Sequence, residues 1–234
     1  MVQQRPHTTV VLAMSVDGKI GDFKRSPARF GTGVDKSHLE QQIAAADAVL
    51  IGAGTLRAYG TTMTVSDTLL LQHRRQDGKS DQPIHIVITH SASLNPEIRF
   101  FQQPIKRWLV TTTLGKNAWQ GRSEFEHILV FETPTGEIDT TAVLQHLTSL
   151  QITRLVVLGG GALVASMLEA DLIDELWLTV CPLILGGVNA PTPVDGRGFL
   201  AQVAPHLQLL EVKQVEDEVF LHYRVKRGVG SAEC

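Results

Sequence analysis

Six short apolar runs recur along the first two thirds of the chain: Thr8 to Met14, Ala48 to Gly52, His85 to His90, Arg107 to Thr113, His127 to Glu132 and Leu155 to Leu158. Each is rich in Val, Ile or Leu, is too short for a buried helix, and ends in turn-forming or polar residues, so each reads as a strand. Helical spacing separates several of them. Leu39, Ile43 and Ala46 share one face of Asp35 to Asp47, where Asp35 suits the cap and His38 stands at the third helical position. Thr140 to Ser149 and Ala162 to Ala170 read likewise. Strands alternating with helices define an α/β architecture with a largely parallel sheet. The chain then changes character. Leu207 to Val215 and Glu218 to Lys226 are strand-like with only a polar turn between them, an antiparallel hairpin that makes the sheet mixed. With no linker or composition boundary, residues 1–225 read as a single domain. The small, polar residues 226–234 read as a flexible tail. Thr61 to Pro83 carries no clear periodicity and is expected to be a mobile surface loop.

Two strand ends run into glycine. After Leu155-Val156-Val157-Leu158 come Gly159, Gly160 and Gly161, then the helical Ala162-Leu163 segment. The dinucleotide fingerprint G-x-G-x-x-G fails at its third place, occupied by Val164, and the P-loop fails because no Lys-Ser/Thr pair follows. Two physical features remain: residues without Cβ, which let a backbone approach a ligand, and the N–H groups of an opening helix, which favour an anion. A tight strand-to-helix turn explains the same glycines equally well. The second case is Gly52-Ala53-Gly54-Thr55, where Thr55 suits an N-cap and Arg57 suits a phosphate. In open α/β sheets ligands lie beyond the carboxyl ends of parallel strands, so two such ends argue more strongly than one. A third turn, Asp17-Gly18, places the cation Lys19 past the first strand.

Several function classes are disfavoured. A net charge of −3 supplies no basic field for nucleic acid. No H-E-x-x-H, C-x-x-C or G-x-S-x-G motif appears, so no metal site or activated nucleophile is expected. Two cysteines, Cys181 and Cys234, make no disulfide framework and fit a reducing cytoplasm. No window of 18 uninterrupted apolar residues exists, so no membrane partner is expected. Hydride transfer tolerates this inventory, because the cofactor carries the reactive atom while the protein binds and orients it.

The segments SVDGKI, GAGT, LGGGALVASML, LIDELWL and above all CPLILGGVNAPTPVDGRGF resemble the reductase domain of the riboflavin-biosynthesis deaminase/reductase family. The resemblance runs from about Thr8 to Val225 with the motifs in the family's order. It implies a dihydrofolate-reductase-like three-layer sandwich, usually a homodimer, with NADPH as hydride donor. The implied substrate is a small phosphorylated ribosylamino-pyrimidine whose ribose becomes a ribityl chain by hydride transfer to C1′. The implied cofactor contacts are Ala13, Gly54, Thr55, Ser91, and Gly159, Gly160, Gly161, Ala162 and Leu163 within a stretch reaching Ser166. Implied substrate contacts are Ser26, Arg29 and the residue at Leu158. Asp17 and Lys19 are the candidates for supplying the proton.

The chain departs from the family pattern at three polar positions. Tyr59 stands for an Asp, Ser66 for an Arg, and Leu158 for a Glu before the triple glycine. A lost Arg removes a bidentate partner for phosphate or carboxylate. The cofactor elements are therefore better kept than those for substrate. Two alternatives stay open: a reductase of the same fold acting on another pyrimidine, pteridine or carbonyl compound, and a nucleotide-binding homodimer without catalysis.

Overall fold

A computed structural model of the chain describes residues 5–27 and 29–226. The expected tail therefore lies outside the described residues except for Lys226, as does Ala28. The described residues group into two compact units, one built on residues 37–158 and the other on 8–36 with 159–226.

The first unit holds five parallel strands in the order β5-β4-β3-β2-β6. These are β2 (Ala48–Gly52), β3 (Ile84–Ile88), β4 (Arg107–Thr111), β5 (His127–Val130) and β6 (Arg154–Val157). Val49, Leu50, Ile86, Val87 and Leu109 are wholly buried, as near-continuous apolar strands of a parallel sheet must be. One core gathers Ile43, Leu56, Phe100, Leu109, Trp119 and Phe125, with Phe101 stacked on Trp119 at 5.3 Å. The helices are α2 (Ala53–Tyr59), α3 (Thr68–Gln76), α4 (Thr113–Ala118) and α5 (Thr140–Ser149), and most of α1 (Gly33–Ala45) belongs here too.

Thr61 to Pro83 is not the surface loop its sequence suggests. It contains α3, capped by Asp67, whose carboxylate accepts from the N–H groups of Leu69 and Leu70. The ordering residue is Arg74, 2% exposed. Its guanidinium donates to the carbonyls of Ala44 and Ala46, each at 2.7 Å, and to Ser80 at 2.8 Å. Lys79 donates to the Ala45 carbonyl. Together they satisfy the orphan carbonyls at the end of α1. Asp47 completes the junction. Burial favours its neutral form, but Lys79 and the Thr153 and Arg154 donors outweigh this and hold its carboxyl at about 2.

The second unit holds β1 (His7–Ser15), β7 (Glu175–Cys181), β9 (Glu218–Val225) and β8 (Leu207–Val215), in that order. β1 and β7 are parallel, whereas β9 runs antiparallel to both β7 and β8. The expected hairpin is present, turning at Glu216 and Asp217. The mixed, mostly parallel α/β class is as the sequence implies. Helix α6 (Gly161–Glu169) packs Val164, Ala165 and Met167 inward.

Two caps differ from expectation. α1 starts at Gly33, so Asp35 lies inside its first turn, while the Thr32 hydroxyl accepts from the Val34 N–H. α2 is preceded by Gly52 without any side-chain cap, and Thr55 lies at its third residue. At α1 the capping residue is Thr32, three positions before Asp35, and at α2 the cap position is a glycine, which a search for Ser, Thr or Asp passes over.

Candidate active site

In the first unit the relevant strand ends are those of β2, β3 and β6. Gly52 pairs with Ile88, and the Leu158 N–H donates to the Leu50 carbonyl. Gly54 and Thr55 open α2, and Ser91 follows β3. The structure brings these two loops together, because Arg57 donates to the Ser93 carbonyl at 3.2 Å and the Ser91 hydroxyl accepts from the Ser93 N–H. Arg57, considered for a phosphate, is engaged with that carbonyl. A Cβ added at Gly54 meets no protein atom within 4 Å, so nothing in the chain requires glycine there. Leu158 packs against the unit's apolar core and offers no acceptor side chain. Ser66 is held by Glu40, whose carboxylate accepts from the Ser66 N–H and hydroxyl and from the Asp67 N–H.

In the second unit the glycines open α6. Gly159 has φ +87°, and Gly160 is the N-cap with no side-chain hydrogen bond over the helix end. Ala162 is exposed and Leu163 half-buried. Gly161 is buried against the 192–195 turn, where an added Cβ would collide with the Thr192 carbonyl and stand 2.8 Å from Cγ of Asp195. Asp195 accepts from the Thr192 N–H and hydroxyl and donates its own N–H to the Gly161 carbonyl. Sequence reasoning missed Thr192 and Asp195. Their signal is the Thr-x-x-Asp spacing of a self-capped turn within PTPVDG.

Ala13, Asp17 and Lys19 lie at the carboxyl end of β1. The buried Ser15 closes this turn. Its hydroxyl donates to Asp17 at 2.6 Å and accepts from the Lys19 N–H at 2.9 Å, with Gly18 at φ +75° between them. Asp17 also accepts from the N–H groups of Leu185 and Gly186, the latter at 2.7 Å. The Ser15 hydroxyl, followed by those amides, holds its carboxyl at about 2. It is an anion at neutral pH and joins two loops, a role that suits positioning better than proton donation. Ser26 and Arg29 are exposed on the following loop, where Asp22 accepts from the N–H groups of Lys24 and Ser26.

Among the described residues no group of three or more His, Cys, Asp or Glu side chains is placed to hold a metal ion. No described helix is long and apolar enough to cross a membrane. In the second unit the backbone groups that could meet an anion are those of the α6 start, whose Gly160 cap makes no side-chain hydrogen bond.

A solved pyrimidine reductase-like protein from Corynebacterium diphtheriae shares this fold. That structure matches with a TM-score of 0.80 at 19% identity, over 95% of this chain and 93% of its own. Residues 6–221 match the model of the RibD C-terminal domain, and the chain belongs to that family. It is 29% identical over 199 residues to a 2,5-diamino-6-ribosylamino-4(3H)-pyrimidinone 5′-phosphate reductase of Archaeoglobus fulgidus, covering 84% of this chain and 89% of that protein. To the protein of the same name from Methanothermobacter thermautotrophicus it is 27% identical, covering 95% and 99%.

Proposed function

We infer that the chain is an NADPH-dependent reductase of a phosphorylated ribosylamino-pyrimidine in riboflavin biosynthesis, converting the ribose to a ribityl chain. The observation that carries this reading is the near full-length likeness to two archaeal reductases of that name, within a family whose model spans most of the chain. The local structure supports it. The α6 N-terminus has a glycine cap that makes no side-chain hydrogen bond over it, and the backbone N–H groups of an opening helix favour an anion, although the Asp195 carboxyl lies against Gly161 beside it. In the second unit the candidate NADPH contacts are Gly159 to Leu163 and Ala13; within the first unit, taken by itself, the resemblance proposes Gly54, Thr55 and Ser91. When bound, NADPH supplies the hydride that adds to C1′ of the ring-opened sugar imine. The chain's own part is to bind, orient and provide a proton. Cytoplasmic residence and a homodimer belong to the same reading. For the latter, β8 ends its unit's strand order with Leu209 and Val212 about half exposed, a surface suited to a second copy.

Leu158 and the Glu40-locked Ser66 favour a second reading, a reductase of this fold acting on a different pyrimidine, pteridine or carbonyl compound. Following NADPH absorbance with the diaminopyrimidinone phosphate separates the two. Oxidation at enzyme-like rates supports the first. NADPH binding without that turnover, but with turnover of another carbonyl or imine, supports the second. Binding with no turnover of any such compound leaves a nucleotide-binding protein without catalysis.

A further inference from the structure

In the second unit a long irregular segment is fastened by one carboxylate. Residues 182–200, which follow β7, form no helix or strand. The large side chains in its first part bury little, since Ile184 is 78% and Val188 95% exposed. Apolar burial therefore does little to fix residues 184–188, and hydrogen bonds must set their course. Asp17 supplies them. Its carboxylate accepts from the Leu185 N–H at 3.1 Å and from the Gly186 N–H at 2.7 Å. The Ser15 hydroxyl, at 2.6 Å, holds the same carboxylate from the side of β1, where Ser15 is wholly buried. Beside it the Val16 N–H donates to the Leu183 carbonyl at 2.9 Å.

The far part of this segment reaches the start of α6. The Ile20 N–H donates to the Pro191 carbonyl at 2.9 Å, and the Asp195 N–H donates to the Gly161 carbonyl at 3.1 Å. The Thr192 hydroxyl closes the turn between them, donating to Asp195 and to the Val194 carbonyl at 2.8 Å each. The Thr192 carbonyl lies so close to Gly161 that a Cβ there would collide with it. Contact this close transmits displacement, so the course of the segment sets the backbone where α6 opens. All of these residues belong to the second unit.

We propose that Asp17 is a positioning residue for the cofactor: by fixing Leu185 and Gly186 it sets the segment that packs on Gly161, and through it the backbone of the α6 start. The proposal rests on the reductase reading, in which residues 159–163 meet NADPH. It replaces the proton-donor role that the sequence suggests for Asp17. A carboxylate that accepts from three donors has its lone pairs turned onto the protein, and at neutral pH it holds no proton to give.

The test compares wild type, Asp17→Asn, Thr192→Val and the double variant. NADPH affinity is measured by fluorescence titration, and single-turnover hydride transfer to the diaminopyrimidinone phosphate is followed against pH. Asp17→Asn should bind NADPH ~5-fold more weakly, less than the full worth of two charge-assisted bonds because Asp17 is exposed and acts at one remove. Hydride transfer at saturating NADPH should fall by a smaller factor, and the pH profile should keep its shape. Thr192→Val frees the other end of the same segment, so the two losses of affinity should fall short of additive in the double variant. Hydrogen exchange at the Leu185, Gly186 and Asp195 amides should quicken in Asp17→Asn while the amides of β1 and β7 keep their protection.

Asp17→Asn with wild-type NADPH affinity overturns the assignment, as do fully additive losses. A pH limb lost with affinity intact overturns it too, and makes Asp17 the proton donor. Exchange quickened throughout β1 and β7 would show a loosened fold and likewise overturn it. A wild type that does not bind NADPH overturns the reductase reading, and this assignment with it. A wild type that binds NADPH but leaves this substrate unreduced overturns only the choice of substrate, and affinity and exchange still decide the role of Asp17.

Discussion

At the scale of single residues, the glycines divide by what they touch. Gly161 is required by the protein, because the Thr192–Asp195 turn lies against its α-carbon. Gly54 meets no protein atom, so only a ligand would require it. Gly161→Ala should therefore destabilise the fold by about 1–3 kcal/mol, the usual cost of overpacking, measured by urea denaturation. Gly54→Ala lies within α2 and should leave the fold as stable or slightly more so, since alanine favours a helix, and a weakened NADPH affinity would report close approach of the cofactor. An unchanged affinity would remove Gly54 from the site. Sequence alone could not make this distinction, since both glycines stand in strand-to-helix turns and differ only in distant contacts. Asp17 is a similar case. Its turn was legible, but its partners Leu185 and Gly186 lie 168 and 169 positions away.

Among the elements, α3 shows how a helix escapes a periodicity search. Its run of leucines is followed by His73, Arg74 and Arg75, which read as a solvated end. Arg74 instead turns inward onto the α1 carbonyls. Arg74→Ala would leave those carbonyls unpaired and should cost about 2–4 kcal/mol in urea denaturation, since bonds from a charged donor exceed neutral ones. A loss below about half a kcal/mol, within the ordinary range for surface substitutions, would show that water replaces the guanidinium. β3 carries a second hidden feature. His85 is fully buried, with Nδ1 3.1 Å from the Thr62 hydroxyl. Burial, then the charges of Arg107 and Arg74, lower its pKa to about 3. Its folded value lies below its unfolded one, so its contribution is complete above pH 6.5. It is lost as the pH falls from 6.5 towards 3, at up to about 1.4 kcal/mol per pH unit. Denaturation at about pH 7 and about pH 5, on either side of the unfolded value, should show this loss in wild type and a smaller one in His85→Gln. Equal losses would show that His85 does not titrate on unfolding. The parallel strands were legible because burial on both faces forces continuous apolar runs. The cap at Gly52 was not, because glycine offers no side-chain signal, and Thr32 was passed over for Asp35 three positions on.

For the whole molecule, family membership accounts for the order of the motifs, and the departures at Ser66 and Leu158 fall where the resemblance implies substrate contacts. Leu158 became part of a core and Ser66 became a ligand of Glu40, so neither supplies the polar recognition the family pattern implies. This could be read as a loss in the sequence alone. Assembly is tested separately. If β8 joins two copies, Val212→Glu should convert a dimer to a monomer in sedimentation, and a monomeric wild type would rule out the homodimer. The reductase reading itself is decided by one assay. Purified chain, NADPH and 2,5-diamino-6-ribosylamino-4(3H)-pyrimidinone 5′-phosphate are mixed, with NADPH absorbance followed and the product identified by mass. Stoichiometric NADPH oxidation and a product heavier by two hydrogens are expected. Tight NADPH binding with unchanged absorbance and unaltered substrate would overturn the reading.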